Sequence, residues 1–251
     1  MLTMAAIKPF SILRSGVLVT LVALASLTGP VFLPTAPARA AVIVLDPGHG
    51  GMDGGAGSGA KFAEKQFTLA LARKISSLLS AGHQVELTRT SDIQLAPVDR
   101  AAVANHLRAD LMISLHAAVV PYCSNRTATV YFHNDERLWM PSGASVQDTP
   151  SEADQDQPAW VGLQMRHQQQ SRYLASTIQR SLGESGTFDN VTVSGVPLVT
   201  LMGTDLPAVL VEVGCIHPVA APNPEVIERE LNEYAQSIAS AIATALPGLV
   251  R

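Results

Sequence analysis

The chain has 251 residues, a formal net charge of −4, 47% hydrophobic residues and only 15% charged ones. That length fits one domain with an extension, and the acidic balance argues against a nucleic-acid partner or electrostatic attachment to an anionic membrane. Its two cysteines, Cys123 and Cys215, leave room for a single disulfide if the protein is exported.

The first 40 residues read as a secretory signal peptide. Lys8 and Arg14 supply a positive start, "GVLVTLVALASLTG" an apolar run, and Ala38, Arg39 and Ala40 a small-x-small cleavage site. The run is short for a membrane span and is followed by Pro30, so no stable membrane anchor is expected once cleavage has occurred. Loss of this segment removes three basic residues and no acid, making the remainder more acidic than the whole. An exported protein, periplasmic or extracellular, is the expectation.

From residue 41 onward short β-branched runs alternate with longer helical ones. This pattern predicts a single α/β domain over 41–251, a mainly parallel twisted sheet of about six strands flanked by helices. "AVIVLD" (41–46) is the first strand, and the glycine-rich "PGHGGMDGGAG" follows it directly. In "EKQFTLALARKISSLLSAG" the apolar residues Phe67, Leu71, Ile75, Leu78 and Leu79 recur at helical spacing, and Gly82 ends the element. "QVELTR" (84–89) alternates as a strand, "PVDRAAVANHLRA" opens a helix on proline, and "DLMISLHA" (110–117) is a buried strand.

"TATVYFH" (127–133) is a further strand, after which periodicity lapses in the polar, acidic segment 134–160, read as a loop insertion. A helix over about 161–183, a strand near 196–201, the strand "PAVLVEVG" (207–214) and a last helix from Pro224 to Leu246 complete the reading.

Ligands of open parallel sheets bind at the carboxyl ends of the strands, which selects three side chains. His49 follows the first strand, His116 ends "LMISL", and Glu212 ends "AVLV"; Glu64 opens the helix after the glycine loop. Taken singly, each fits an ordinary polar role. Glu212, a carboxylate inside an apolar strand, is the hardest to place without a function. Together two imidazoles and a carboxylate suit zinc with an open fourth position, and a further carboxylate nearby can act as base. There is no G-x-x-x-x-G-K-[ST] loop, H-E-x-x-H or G-x-S-x-G segment.

"VIVLDPGHGGMDGGA", "EKQFTLALARKISSLL", "VELTRTSD", "DRAAVANHLRADLMISLHA" and "LPAVLVEVG", in this order, resemble the zinc-dependent N-acetylmuramoyl-L-alanine amidases that cut peptidoglycan during cell separation. The resemblance implies one zinc held by His49, Glu64 and His116, with Glu212 as the catalytic carboxylate. It implies Asp46 behind them, orienting the loop or a ligand imidazole, and structural roles for Arg89, Arg100 and Asn105. Peptidoglycan is then the substrate, and an activator protein is a conceivable partner.

Ala118 stands where the family usually has asparagine, and "GCIHP" (214–218) replaces the usual "GFISN", so the cleft walls are altered. Two rivals follow: a non-catalytic wall-binding module with a degenerate amidase fold, and a zinc peptidase acting on stem peptides. Cys123 and Cys215 follow the strands that carry His116 and Glu212, and are either a disulfide joining two site loops or two separate thiols. Segment 134–160 is either a solvated loop or a regulatory cover like that of some periplasmic members, with Glu136 or Glu152 capping the zinc. His83, His106, His133, His167 and His217 are expected on the surface or in loops.

Overall fold

A computed structural model describes residues 39–56, 63–119, 126–134, 162–216 and 224–250. The proposed signal sequence through residue 38, most of the 134–160 insertion, Cys123 and His217 lie outside the described residues, as does the side chain of Cys215. The disulfide and the capping roles of Glu136 and Glu152 lie there too.

Six strands form one sheet: β1 (Val42–Pro47), β2 (Gln84–Leu87), β3 (Leu111–Val119), β4 (Thr127–His133), β5 (Asn190–Val196) and β6 (Ala208–Ile216). Their order is β2-β1-β3-β6-β4-β5, parallel throughout except for the β6–β4 pair. The helices are α1 (Glu64–Leu79), α2 (Pro97–His106), α3 (Gln168–Glu184) and α4 (Pro224–Ala245). Among the described residues no helix is long and apolar enough to cross a membrane.

Alternation along the strands sorts side chains between the two faces. Ile43, Leu45, Ile113, Leu115, Val209, Val211, Val213 and Val130 join Leu71 and Ile75 of α1, Leu174 and Ile178 of α3, and Ile238 and Ile242 of α4 in the main core. On the other face Val44, Met112 and Ala208 form a smaller cluster with Ala104 of α2 and with Leu201 and Leu206. The apolar faces of α1, α3 and α4 therefore pack on one side of the sheet.

Two sequence expectations need correction. The strand expected near 196–201 lies earlier, at Asn190–Val196; Pro197 follows it, and a proline nitrogen has no hydrogen to extend a ladder. The apolar residues beyond it pack from a turn instead, with Leu201 buried and Leu198 half-buried against the smaller cluster. His133, expected on the surface or in a loop, is fully buried at the end of β4, where its Nδ1 accepts the Leu198 N–H at 2.9 Å. Its place two residues beyond Tyr131 puts it on the face covered by that turn. His167 instead pairs with Asp205 at 3.0 Å, and His106 is exposed.

Candidate metal centre and active site

The site begins where β1 ends. Gly48 N–H donates to Leu115 O at 2.9 Å, which extends the pairing with β3 by one residue before the chain reverses. Gly50 and Asp53 then close a small loop through reciprocal backbone bonds of 2.9 and 3.2 Å. His49 sits between Gly48 and this small loop at φ 62°, a left-handed conformation unusual for a side-chain-bearing residue. Arg100 holds it there by donating from Nη2 to the His49 carbonyl at 2.9 Å.

Glycine is required at two points by close approach. A Cβ on Gly48 would come within 2.5 Å of the His116 ring, and one on Gly55, at φ 66°, within 2.6 Å of both the Glu64 carboxylate and the His49 ring. The loop thus lets backbone lie directly against the site.

Glu64 is the first residue of α1, and its side chain is almost completely buried. Its Oε2 accepts Ala56 N–H at 2.8 Å, while Oε1 accepts Ala117 N–H at 3.0 Å and faces His116 Nδ1 at 3.0 Å and His49 Nε2 at 3.1 Å. Burial opposes ionisation of this carboxyl, but the bonds from His116, His49, Ala117 and Ala56 outweigh it and hold its pKa well below the usual range. The bond to Glu64 raises the His49 pKa against the effect of burial. The two imidazoles meet edge to face with centroids 4.9 Å apart.

The donor atoms of His49, Glu64 and His116 lie within 4.8 Å of one another. Tetrahedral zinc with bonds of about 2.0–2.1 Å places neighbouring donors about 3.3 Å apart, close to the 3.0 and 3.1 Å separations seen around Glu64. Two nitrogen donors and one carboxylate oxygen, with the fourth side open to a cleft, fit that metal's preference.

Glu212 stands beside His116 as its register partner across the β3–β6 pair, and its side chain is half-buried in the same cleft. Among the described residues its carboxylate has no hydrogen-bond partner. The cleft, about 400 Å³, is lined by these four residues together with Ala56, Ala117, Ala118, Tyr131, Leu198 and Leu210. The sequence argument brought His49, Glu64, His116 and Glu212 to one point, and the structure places all four there.

Asp46 lies one layer deeper, fully buried. It accepts from Thr88 Oγ1 at 2.6 Å, Arg100 Nη1 at 2.7 Å and Ser114 Oγ at 2.8 Å, and bonds neither imidazole. Its hold on the loop passes through Arg100, which also reaches Pro47 O and His49 O. Arg89, likewise buried, ties the β1 exit to α1 by donating to Pro47 O, Gly48 O and Lys65 O. Asn105 braces the turn before β6 through Gly203 O and Asp205 N–H.

Sequence reasoning missed the carboxylate that does orient an imidazole. Asp53 Oδ2 lies 2.8 Å from His49 Nδ1, leaving Nε2 to face Glu64, while Asp53 Oδ1 accepts Gly55 N–H at 3.1 Å. The signal was its spacing of four residues from His49 within one tight loop. Tyr131 and Leu198 were missed as cleft walls because β4 and the turn after β5 have no motif.

The family model described as N-acetylmuramoyl-L-alanine amidase matches residues 43–247, which contain every residue of this site. The chain belongs to that amidase family. Amidase AmiC of Neisseria meningitidis serogroup B is 30% identical over 217 residues, covering 81% of this chain and 52% of that protein. The germination-specific amidase of Bacillus subtilis is 30% identical over 193 residues, covering 71% and 68%. The chain spans about half the length of the first curated relatives it matches.

Among solved amidase structures, the catalytic domain of CwlV from Bacillus (Paenibacillus) polymyxa var. colistinus superposes with TM-score 0.56 at 25% identity, covering 84% of this chain and 99% of that one. CwlD of Clostridioides difficile, in complex with the GerS lipoprotein, shares the fold with TM-score 0.56 at 21% identity, covering 83% and 98%.

Proposed function

We propose that the protein is an exported zinc hydrolase that cuts the amide between the lactyl group of N-acetylmuramic acid and the L-alanine of the stem peptide. The observation carrying this reading is that Glu212 lies beside His116, in a cleft shared with His49 and Glu64, within a chain of the amidase family. His49, Glu64 and His116 would hold the metal. When bound there, zinc supplies Lewis-acid activation of a water and of the scissile carbonyl.

The remaining work falls to side chains of the cleft. Glu212, without a hydrogen-bond partner among the described residues, takes the proton of the attacking water and delivers it to the leaving L-alanine nitrogen. Asp53 fixes the His49 tautomer, and the loop glycines keep the backbone low enough for substrate to approach. A regulating protein partner belongs to the same reading, supported by the complex of CwlD with a lipoprotein.

Mass spectrometry of digested sacculi tests it. The amidase releases stem peptides with a free L-alanine amino terminus, and Glu212→Gln lowers the rate by about 10²–10⁴ while metal content is kept. Cleavage inside the stem peptide would instead establish a peptidase. No release by the metal-loaded protein, with or without cell-envelope extract, would leave a wall-binding module.

A further inference from the structure

The sheet face that carries Glu212 changes character across its width. Over β1 and β3 it is covered by α2 and by Leu201 and Leu206. Beyond β6, β4 and β5 present three cross-strand pairs: Thr127 with Asn190, Thr129 with Thr192, and Tyr131 with Ser194. Thr129 is the register partner of Glu212, so strand alternation puts all six on the face of that carboxylate.

Thr127, Asn190 and Thr192 are exposed, and Thr129, Tyr131 and Ser194 are half-buried. The Thr129 and Thr192 hydroxyls meet at 3.0 Å. Tyr131 also lines the cleft, which makes the strip a continuation of the cleft wall. None of the six is charged, and the cleft lining contains no lysine or arginine.

We propose that this strip is the glycan subsite, a reading that rests on the amidase activity proposed above. The sugar chain lies over β4 and β5 with Tyr131 against a pyranose ring, and the stem peptide leaves from the other side of the scissile amide. Sugars offer apolar ring faces and neutral hydroxyl and acetamido groups, which match an aromatic ring and neutral hydroxyls. A stem peptide offers carboxylates, whose strong partners are cations, and the strip has none. From Thr127 to Tyr131 the surface runs about 13 Å along the strand, longer than one sugar ring.

Two probes separate the possibilities when titrated into the full chain: a neutral hexamer of β-1,4-linked N-acetylglucosamine, and a free stem peptide. Tyr131→Leu weakens hexamer binding about tenfold and Thr192→Val about threefold, with stem-peptide affinity unchanged within about twofold. Tyr131→Leu raises KM on glycan-linked substrate by a similar factor and spares kcat. Thr192 is exposed, so its variant keeps the fold even if Tyr131→Leu does not, and melting temperatures check both. A wild-type protein that does not bind the hexamer, variants that bind it normally, or losses confined to the peptide would each overturn the subsite. Hexamer binding that responds to the variants, without amide hydrolysis, would keep the subsite and reject the activity.

Discussion

Replacing Asp46 with alanine should destabilise the protein severely, although Asp46 touches neither imidazole. The carboxylate is fully buried beside Arg100, which is 5% exposed, and it accepts from Arg100, Thr88 and Ser114. Its loss strands a buried guanidinium and two buried hydroxyls. Removing one partner of such a pair costs about 3–5 kcal/mol, a large share of the roughly 5–15 kcal/mol that holds a domain together.

For a domain of this size that loss lowers Tm by about 6–20 °C. Urea unfolding followed by circular dichroism, on metal-free protein so that ligand binding does not contribute, measures it directly. Thr88→Val and Ser114→Ala should each cost about 1.5–3 kcal/mol, since each removes one bond to a charged acceptor. The double variant Asp46→Ala/Arg100→Met should be more stable than Asp46→Ala alone, because the stranded charge has gone. A loss below about 1 kcal/mol for Asp46→Ala, or no recovery in the double variant, would refute the argument that a stranded Arg100 charge dominates.

Asp53→Asn should weaken metal binding about 10–100-fold with little change in stability, because it disturbs the imidazole partner and not the core; competition with a chromogenic chelator reads the affinity. Gly48→Ala pushes a methyl into the His116 ring and should reduce metal affinity more than Asp53→Asn does; equal affinity to wild type would show that the ring has room to move. Tyr234 is buried with its hydroxyl unsatisfied, and burial raises its pKa from 10.0 to about 12. The folded state therefore keeps a proton that the unfolded state loses, so stability falls as pH rises from about 10 to 12, by about 2–3 kcal/mol. Tyr234→Phe should flatten that decline and gain up to about 1 kcal/mol at neutral pH, as measured by urea unfolding across the pH range.

The legible part of the site was the part made of strand ends. His49 stands out because glycines surround it just after an apolar strand, and Glu212 because a carboxylate interrupts "AVLVEVG". Glu64 was assigned to the metal only through the family resemblance, since an acid at a helix start is ordinarily a surface charge favoured by the dipole. The pairing of Asp46 with Arg100 was hidden because it joins the end of β1 to α2, 54 residues away, and no local pattern reports it. The order in which β6 lies between β3 and β4 was equally hidden, and with it the nearness of Tyr131 to Glu212. Leu198 and Leu201 misled the strand assignment because apolar residues in a turn that packs on a cluster look, in sequence, like a strand.

The two sides of the cleft are supported differently, and this bears on what mutations there can separate. On the side of β1 and α1, Glu64, Arg89, Arg100 and Asp46 are buried around the β1 exit: Asp46 pairs with Arg100, both arginines donate to Pro47 O, and Arg100 also holds the carbonyl of His49, whose ring faces Glu64. Substitutions there will move metal affinity and folding stability together. On the side of β6, β4 and β5, Glu212 has no hydrogen-bond partner among the described residues, Tyr131 is half-buried in the cleft wall and Thr192 is exposed. Substitutions there can alter turnover or substrate affinity without unfolding the protein. Of the positions that depart from the family pattern, Ala118 lines the cleft and Cys215 lies on β6.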